Sequence, residues 1–299
     1  MFDTMNVLVL GANGQLGQAV RAASLNAINH FIFSDVYTGD DPKTLNIDIT
    51  SITALREVVK REKIGIIVNC AAYTNVEKAD DDIEAARLLN KDAVRNLATV
   101  AKEADATLIH ISTDFVYDGR KAAPYVETDE KHPVNGYALT KYEGELEMIK
   151  TGCKYILFRT AWMFSKYGNN FMKTMIRLTS EREHLNVVYD QVGTPTYAPE
   201  LATLIVKVIE ENKLHLTGEY NFSNEGSVSW YDFAVAINRA CGNHCDISPI
   251  TSDEYGSKVK RPSFSVLDKS KVKNTFGVRI PHWLDSLDES IKAYNESNR

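Results

Sequence analysis

The run Asn6-Val7-Leu8-Val9-Leu10 leads without a break into Gly11-Ala12-Asn13-Gly14-Gln15-Leu16-Gly17, and from there into a helical pattern with Leu16, Ala19, Val20 and Ala23 apolar. A short continuous apolar run reads as a strand covered on both faces, a property of parallel sheets. Strand, glycine turn and helix in direct succession form a β-α unit whose backbone N–H groups and helix N-terminus suit a pyrophosphate. The spacing is G-x-x-G-x-x-G, and Gly11, Gly14 and Gly17 are candidate cofactor contacts.

The same unit recurs along the first half. Phe31 to Asp35, Leu45 to Ile49, Gly65 to Ala72, Thr107 to Ser112 and Tyr155 to Arg159 read as further strands, with helical patterns between most of them. Thr50 or Ser51 caps one of those helices, and an acidic stretch from Glu77 leads into a long helix through about Glu103. This rhythm predicts an α/β fold, a Rossmann-type doubly wound parallel sheet with right-handed crossovers. After residue 160 the rhythm loosens, and a smaller C-terminal α/β lobe is expected to close over the sheet's C-terminal edge. The expected division is 1–165 for an NAD(P)-binding domain, with some later segments returning to it, and 166–299 mainly for a substrate-binding lobe.

Three strand ends carry chemistry. Asp35 closes the second strand eighteen residues after Gly17; a carboxylate there suits the adenine ribose hydroxyls of NAD and opposes a 2′-phosphate. Ala71 and Ala72 close the fourth strand with small side chains that let a flat ligand approach. Thr113 and Asp114 follow the fifth. Beyond them, Asn135-Gly136-Tyr137-Ala138-Leu139-Thr140-Lys141 places a tyrosine and a lysine one helical turn apart on one face. A phenol titrates near ~10, and a neighbouring ammonium favours the phenolate and draws it toward neutral pH. Such a pair is a candidate general acid with its tuning group.

Composition narrows the classes. With 299 residues, 44% hydrophobic and 25% charged, the chain has the make-up of a soluble globular protein with a sizeable core. A net charge of −6 argues against a general nucleic-acid binder. No apolar run has the roughly 18 residues of a membrane span. The N-terminal Met1-Phe2-Asp3-Thr4-Met5 has no cationic n-region, so no secretory leader is expected. Four cysteines in a chain this long do not form a disulfide framework, and Cys241-Gly242-Asn243-His244-Cys245 lacks a second ligand pair for a metal. A cytoplasmic location is expected.

With these residues in hand, the chain resembles the extended short-chain dehydrogenases/reductases, and within them the dTDP-4-dehydrorhamnose reductase family. The resemblance runs nearly end to end. Its particular strings are Ser112-Thr113-Asp114, Arg159-Thr160-Ala161-Trp162, Gly168-Asn169-Asn170-Phe171, Asp190-Gln191-Val192-Gly193-Thr194-Pro195-Thr196 and Arg261-Pro262-Ser263-Phe264-Ser265. The resemblance implies NADP(H) or NAD(H) held by Gly14, Gln15, Leu16, Asp35, Asp48, Ile49, Ala72, Tyr73, Thr74, Tyr137 and Lys141. It implies a dTDP-linked 4-keto-6-deoxyhexose near Thr113, Asp114 and Trp162, in a monomer or homodimer. It implies hydride transfer to C4, with Tyr137 as proton donor, Lys141 lowering the phenol's pKa and contacting the nicotinamide ribose, and Thr113 bonding the carbonyl oxygen. Some members hold magnesium at a dimer interface through a glutamate at the position of Ala19; with Glu200 alone remaining, no metal is expected. Among the cations of the second half, Arg177, Arg182, Lys258, Lys260, Arg261 and Arg279 are candidates for a diphosphate. Epimerases and dehydratases of the superfamily are alternatives, although a dehydratase wants Thr-Asp-Glu where this chain has Thr113-Asp114-Phe115. The regulatory subunit of methionine adenosyltransferase, a binding protein of similar pattern, is another.

Overall fold

The computed structural model describes residues 4–39 and 41–297; Met1, Phe2 and Asp3 of the N-terminal segment considered above lie outside the described residues. The first half runs β1 (Asn6–Leu10), α1 (Gln15–Ala23), β2 (His30–Asp35), β3 (Leu45–Asn46), α2 (Ile52–Arg61), β4 (Ile64–Asn69), α3 (Ile83–Arg87), α4 (Ala93–Glu103), β5 (Thr107–Thr113), α5 (Gly136–Thr151) and β6 (Lys154–Thr160). The second half runs β7 (Met163–Phe164), α6 (Phe171–Glu181), β8 (His184–Val188), β9 (Val192–Gly193), β10 (Thr196–Tyr197), α7 (Ala198–Glu210), β11 (Gly218–Asn221), β12 (Val228–Ser229), α8 (Trp230–Ala240), β13 (Asp246–Ile250), α9 (Ser252–Tyr255), α10 (Ser270–Phe276) and α11 (Trp283–Ser297).

Seven strands form one parallel sheet in the order β11-β6-β5-β4-β1-β2-β3. Strand order reverses between β1 and β4, and the crevice beyond their C-terminal ends is where such sheets bind ligands. Alternate residues of each strand enter two separate cores. Val7, Val9, Ile66 and Val68 pack against Val20 of α1 and Leu201 and Ile205 of α7. Leu8, Leu10 and Ile67 pack on the other face with Leu55, Val59 and Leu97. Continuous apolar strands are thus a consequence of helices on both faces. A third core, with Phe164, Met172, Leu185, Phe233 and Leu287, holds the second half together.

Two expected elements are altered, each by a polar side chain. The strand expected over Leu45 to Ile49 stops at Asn46, because the Asp48 carboxylate accepts from the Thr50 N–H (2.8 Å) and hydroxyl (2.7 Å) and turns the chain toward the Ser51 cap of α2. The helix expected through Glu103 widens into a π turn at Leu88–Asp92 between α3 and α4. There the buried Asn90 amide accepts from the Tyr73 N–H at 2.9 Å and donates to the Tyr73 carbonyl at 3.1 Å, pinning the loop after β4. Asn135 caps α5 by accepting from the Ala138 N–H at 2.8 Å. That cap fixes where the turn carrying Tyr137 begins. Among the described residues, no helix is long and apolar enough to cross a membrane.

Candidate active site

The crevice opens into a cavity of about 780 Å³ that begins at the glycine turn and ends on residues of the second half. Gly11 has φ +72°, and a Cβ there would lie 2.6 Å from the Ala71 backbone nitrogen. Only glycine satisfies both the left-handed backbone and this approach of β1 to β4. A Cβ at Gly17 would stand 2.6 Å from Cα of Ala12, so its absence seats α1 on the turn. Gly14 caps α1 without a side-chain bond, which leaves the helix N-terminus open to an anion. Bare backbone, an uncapped helix and the small Ala71 and Ala72 floor fit a nicotinamide dinucleotide.

The expected cofactor residues divide. Gly11, Gly14, Gln15, Leu16, Asp35, Ile49, Ala71, Ala72, Thr74, Tyr137 and Lys141 line the cavity. Three lie outside its lining. Gly17 packs behind the turn, Asp48 is exposed and turned to Thr50, and Tyr73 has its backbone N–H and carbonyl held by the Asn90 amide. Asp35 has a structural duty as well, since its carboxylate accepts from the N–H of Asn13 at 3.0 Å and of Tyr37 at 3.2 Å.

The reacting end lies where β5 meets α5. Thr113, Asp114, Tyr137 and Lys141 all line the cavity there. Burial pushes the Tyr137 phenol up to about 12, with the nearby Thr113 hydroxyl pulling it down and Asp114 adding to the rise. Burial brings Lys141 down to about 8, opposed by the Glu145 carboxylate one turn further along α5. The lysine ammonium donates to the Ile111 carbonyl at 2.7 Å. The expected lowering of the phenol by Lys141 is therefore not what this chain alone produces: the tyrosine is desolvated, and the lysine points to β5. Beneath them Arg159, itself buried, donates to both oxygens of Glu145 (3.0 and 2.6 Å) and to Glu219 (2.7 Å), tying α5, β6 and β11 together.

The opposite wall comes from the second half. Trp162, held at φ +44°, stacks on Trp230 with ring centroids 3.5 Å apart and planes 8° apart. Both rings line the cavity. Of the six candidate cations only Arg261 does so; it bonds Ser257 at 2.9 Å and the Glu77 carboxylate. Arg177, Arg182, Lys258, Lys260 and Arg279 are exposed elsewhere. Gln15 bridges the two halves, its oxygen accepting from Ser165 at 3.0 Å and Asn170 at 2.9 Å. Trp230 and Asn170 were not among the expected site residues. The Gly168-Asn169-Asn170-Phe171 string signalled the second; Trp230 looks in sequence like an ordinary first helical residue after the Ser229 cap.

Ala19 is buried on α1, and Glu200 turns inward, accepting from Asn224 at 2.5 Å and Ser286 at 2.6 Å. Burial raises its carboxyl to about 7.

Residues 5–296 match the model of the RmlD substrate binding domain. The dTDP-4-dehydrorhamnose reductase of Aggregatibacter actinomycetemcomitans is 35% identical over 97% of this chain and 99% of its own length. The chain belongs to the dTDP-4-dehydrorhamnose reductase family. Two crystal structures of the family superimpose closely. The Clostridium acetobutylicum reductase has a TM-score of 0.90 and 37% identity, covering 97% of this chain and 100% of that one. The Bacillus anthracis reductase, solved in complex with NADP, has a TM-score of 0.89 and 34% identity with the same coverage. Family membership thus extends from the glycine turn through the Trp162–Trp230 wall.

Proposed function

We propose that this chain reduces the 4-keto group of dTDP-4-dehydro-L-rhamnose to dTDP-L-rhamnose, with NADPH or NADH as hydride donor. The observation that carries the proposal is the convergence of Tyr137 and Thr113 on one stretch of a cavity that opens onto an uncapped, glycine-lined helix N-terminus. The relatives named for this activity match the chain over almost its whole length. Residues 1–165, with β11 returning to them, are read as the cofactor unit, and 166–299 as mainly the substrate lobe.

A bound nicotinamide supplies the hydride that adds to the C4 carbonyl carbon. The chain's own groups handle the oxygen. Tyr137 gives its proton to the developing alkoxide, so a ketone, a hydride and a proton become a secondary alcohol. A phenol held near 12 stays protonated until that moment. Thr113 stands beside it as a hydrogen-bond donor to the same oxygen. Lys141 lies on the next turn of α5 and supplies positive charge for the tyrosinate left behind. Gly11, Gly14 and the α1 N-terminus take the cofactor's pyrophosphate, with Gln15, Leu16, Asp35, Ile49, Ala71, Ala72 and Thr74 around the rest. Trp162 and Trp230 form an aromatic surface for the flat or apolar part of the sugar nucleotide, and Arg261 provides charge for its diphosphate. Phe115 stands where a dehydratase carries a further acid, so the chemistry ends at reduction.

The test presents dTDP-6-deoxy-L-lyxo-4-hexulose with NADPH or NADH and follows loss of absorbance together with product identity. Formation of dTDP-L-rhamnose is expected. Failure to turn over this substrate, with tight binding to a partner protein instead, would move the chain to the regulatory-subunit alternative.

A further inference from the structure

Thr113 has one hydroxyl proton, and both the Asp114 carboxylate and the Tyr137 phenol lie within its reach. The Thr113 Oγ1 accepts from the Phe115 N–H at 3.2 Å and donates to Oδ1 of Asp114 at 3.1 Å. The other carboxyl oxygen of Asp114, Oδ2, is buried without a hydrogen-bonded partner, although Asp114 lines the cavity. An ionised carboxylate only accepts, whereas a protonated one carries a donor of its own.

We propose that Asp114 sets the direction of the Thr113 hydroxyl: ionised, it keeps the Thr113 proton to itself, and protonated, it releases that proton to an oxygen in the cavity. Asp114 is then a positioning residue for the reduction described above, and the inference rests on that reading of the site. The groups acting on the carboxyl are the Thr113 hydroxyl and the backbone N–H groups of Asp114 and Phe115 at its own strand end, the Ser265 hydroxyl from the segment joining α9 to α10, and the Tyr137 phenol from α5. Burial, the largest influence, holds Asp114 up at about 7, with Ser265 and Thr113 pulling it down. Tyr137, pushed to about 12, stays neutral across this range. The sign follows directly: the competent, protonated form is present below about 7 and is lost as pH rises through it.

The experiment measures kcat/KM for the keto sugar nucleotide from pH 5.5 to 9 in the parent, Asp114→Asn and Thr113→Val, each with bound cofactor. The parent is expected to fall about twentyfold between pH 6 and pH 8, about tenfold from Asp114 and about twofold from Lys141. Asp114→Asn cannot titrate there and should retain only the later limb from Lys141, near 8, a fall of about twofold by pH 8. Thr113→Val, slower at every pH, should lose the early limb too. An early limb that survives in either variant overturns the proposal. A carboxyl-carbon NMR titration of Asp114 gives an answer independent of turnover. The expected midpoint is near 7 and rises in Thr113→Val, which removes a bond that favours the ionised form. A midpoint in the ordinary carboxylate range, unmoved by that substitution, would overturn the coupling whatever substrate the protein reduces.

Discussion

The two ends of the cavity are built from different materials. At the β1 end the chain offers bare backbone: a left-handed glycine, an uncapped helix and two alanines, all from the first 72 residues. At the far end it offers large side chains, Trp162, Trp230 and Arg261, brought together from segments well apart in sequence. Backbone recognises what many ligands share, a pyrophosphate and a flat ring, and it is sensitive to any added atom. Side chains recognise what distinguishes one ligand from another, and they tolerate exchange at the cost of affinity. Tyr137 stands at the seam.

Substitutions can separate these ends, and the seam should respond most. Tyr137→Phe keeps the ring and its edge contact with Phe115, with centroids 6.1 Å apart, and removes the proton donor. Turnover should drop by ~10²–10⁴-fold with cofactor affinity unchanged. Steady-state rates within about threefold of the parent would deprive Tyr137 of the acid role. Next comes the backbone end. Gly11→Ala forces a side chain into left-handed backbone and toward Ala71, so NADPH affinity should fall about ten- to thirtyfold, with a lower melting temperature and little change in KM for the sugar nucleotide. Unchanged calorimetric affinity would mean the turn does not contact the cofactor. Trp230→Ala should show the reverse pattern, raising KM for the sugar nucleotide about fivefold and sparing NADPH affinity. If both constants move together, the ends are coupled and the comparison fails. Asp35→Ala should produce the smallest change, about a threefold shift of the kcat/KM ratio toward NADPH. Its carboxylate also holds Asn13 and Tyr37, and a loss of stability without any shift in the ratio would assign it to the turn alone.

What could be read from the sequence follows the same division. The strand, the glycine turn, Asp35 and the Tyr137–Lys141 spacing are local patterns, and local geometry put them on the cavity wall. Asp48 and Tyr73 are also close in sequence to the site, but Thr50 and Asn90 occupy their polar groups, and hydrogen bonds of that kind leave no periodicity to detect. The raised phenol of Tyr137 is hidden for a related reason: spacing gives the distance between two residues on a helix, not the desolvation around them. Trp230 and the choice of Arg261 among six cations depend on how the second half folds back, which no short window of sequence contains. The particular strings around Trp162 and Asn170 marked the right segments without revealing that Gln15 would join them to the turn.

The returning strand β11 has a consequence for how the protein is made. It hydrogen-bonds along β6, and it follows α7, so the sheet is completed by chain synthesised long after the cofactor turn. A ribosome delivering the N-terminal end first exposes the flank of β6 as an unpaired template until Gly218–Asn221 emerges. Arg159 and its partner Glu145 are both synthesised before that interval, while Glu219, the second carboxylate on that arginine, arrives only with β11. Nascent chains stalled before residue 218 should therefore be the ones chaperones hold, and release from them should coincide with the moment the buried arginine acquires its second anion.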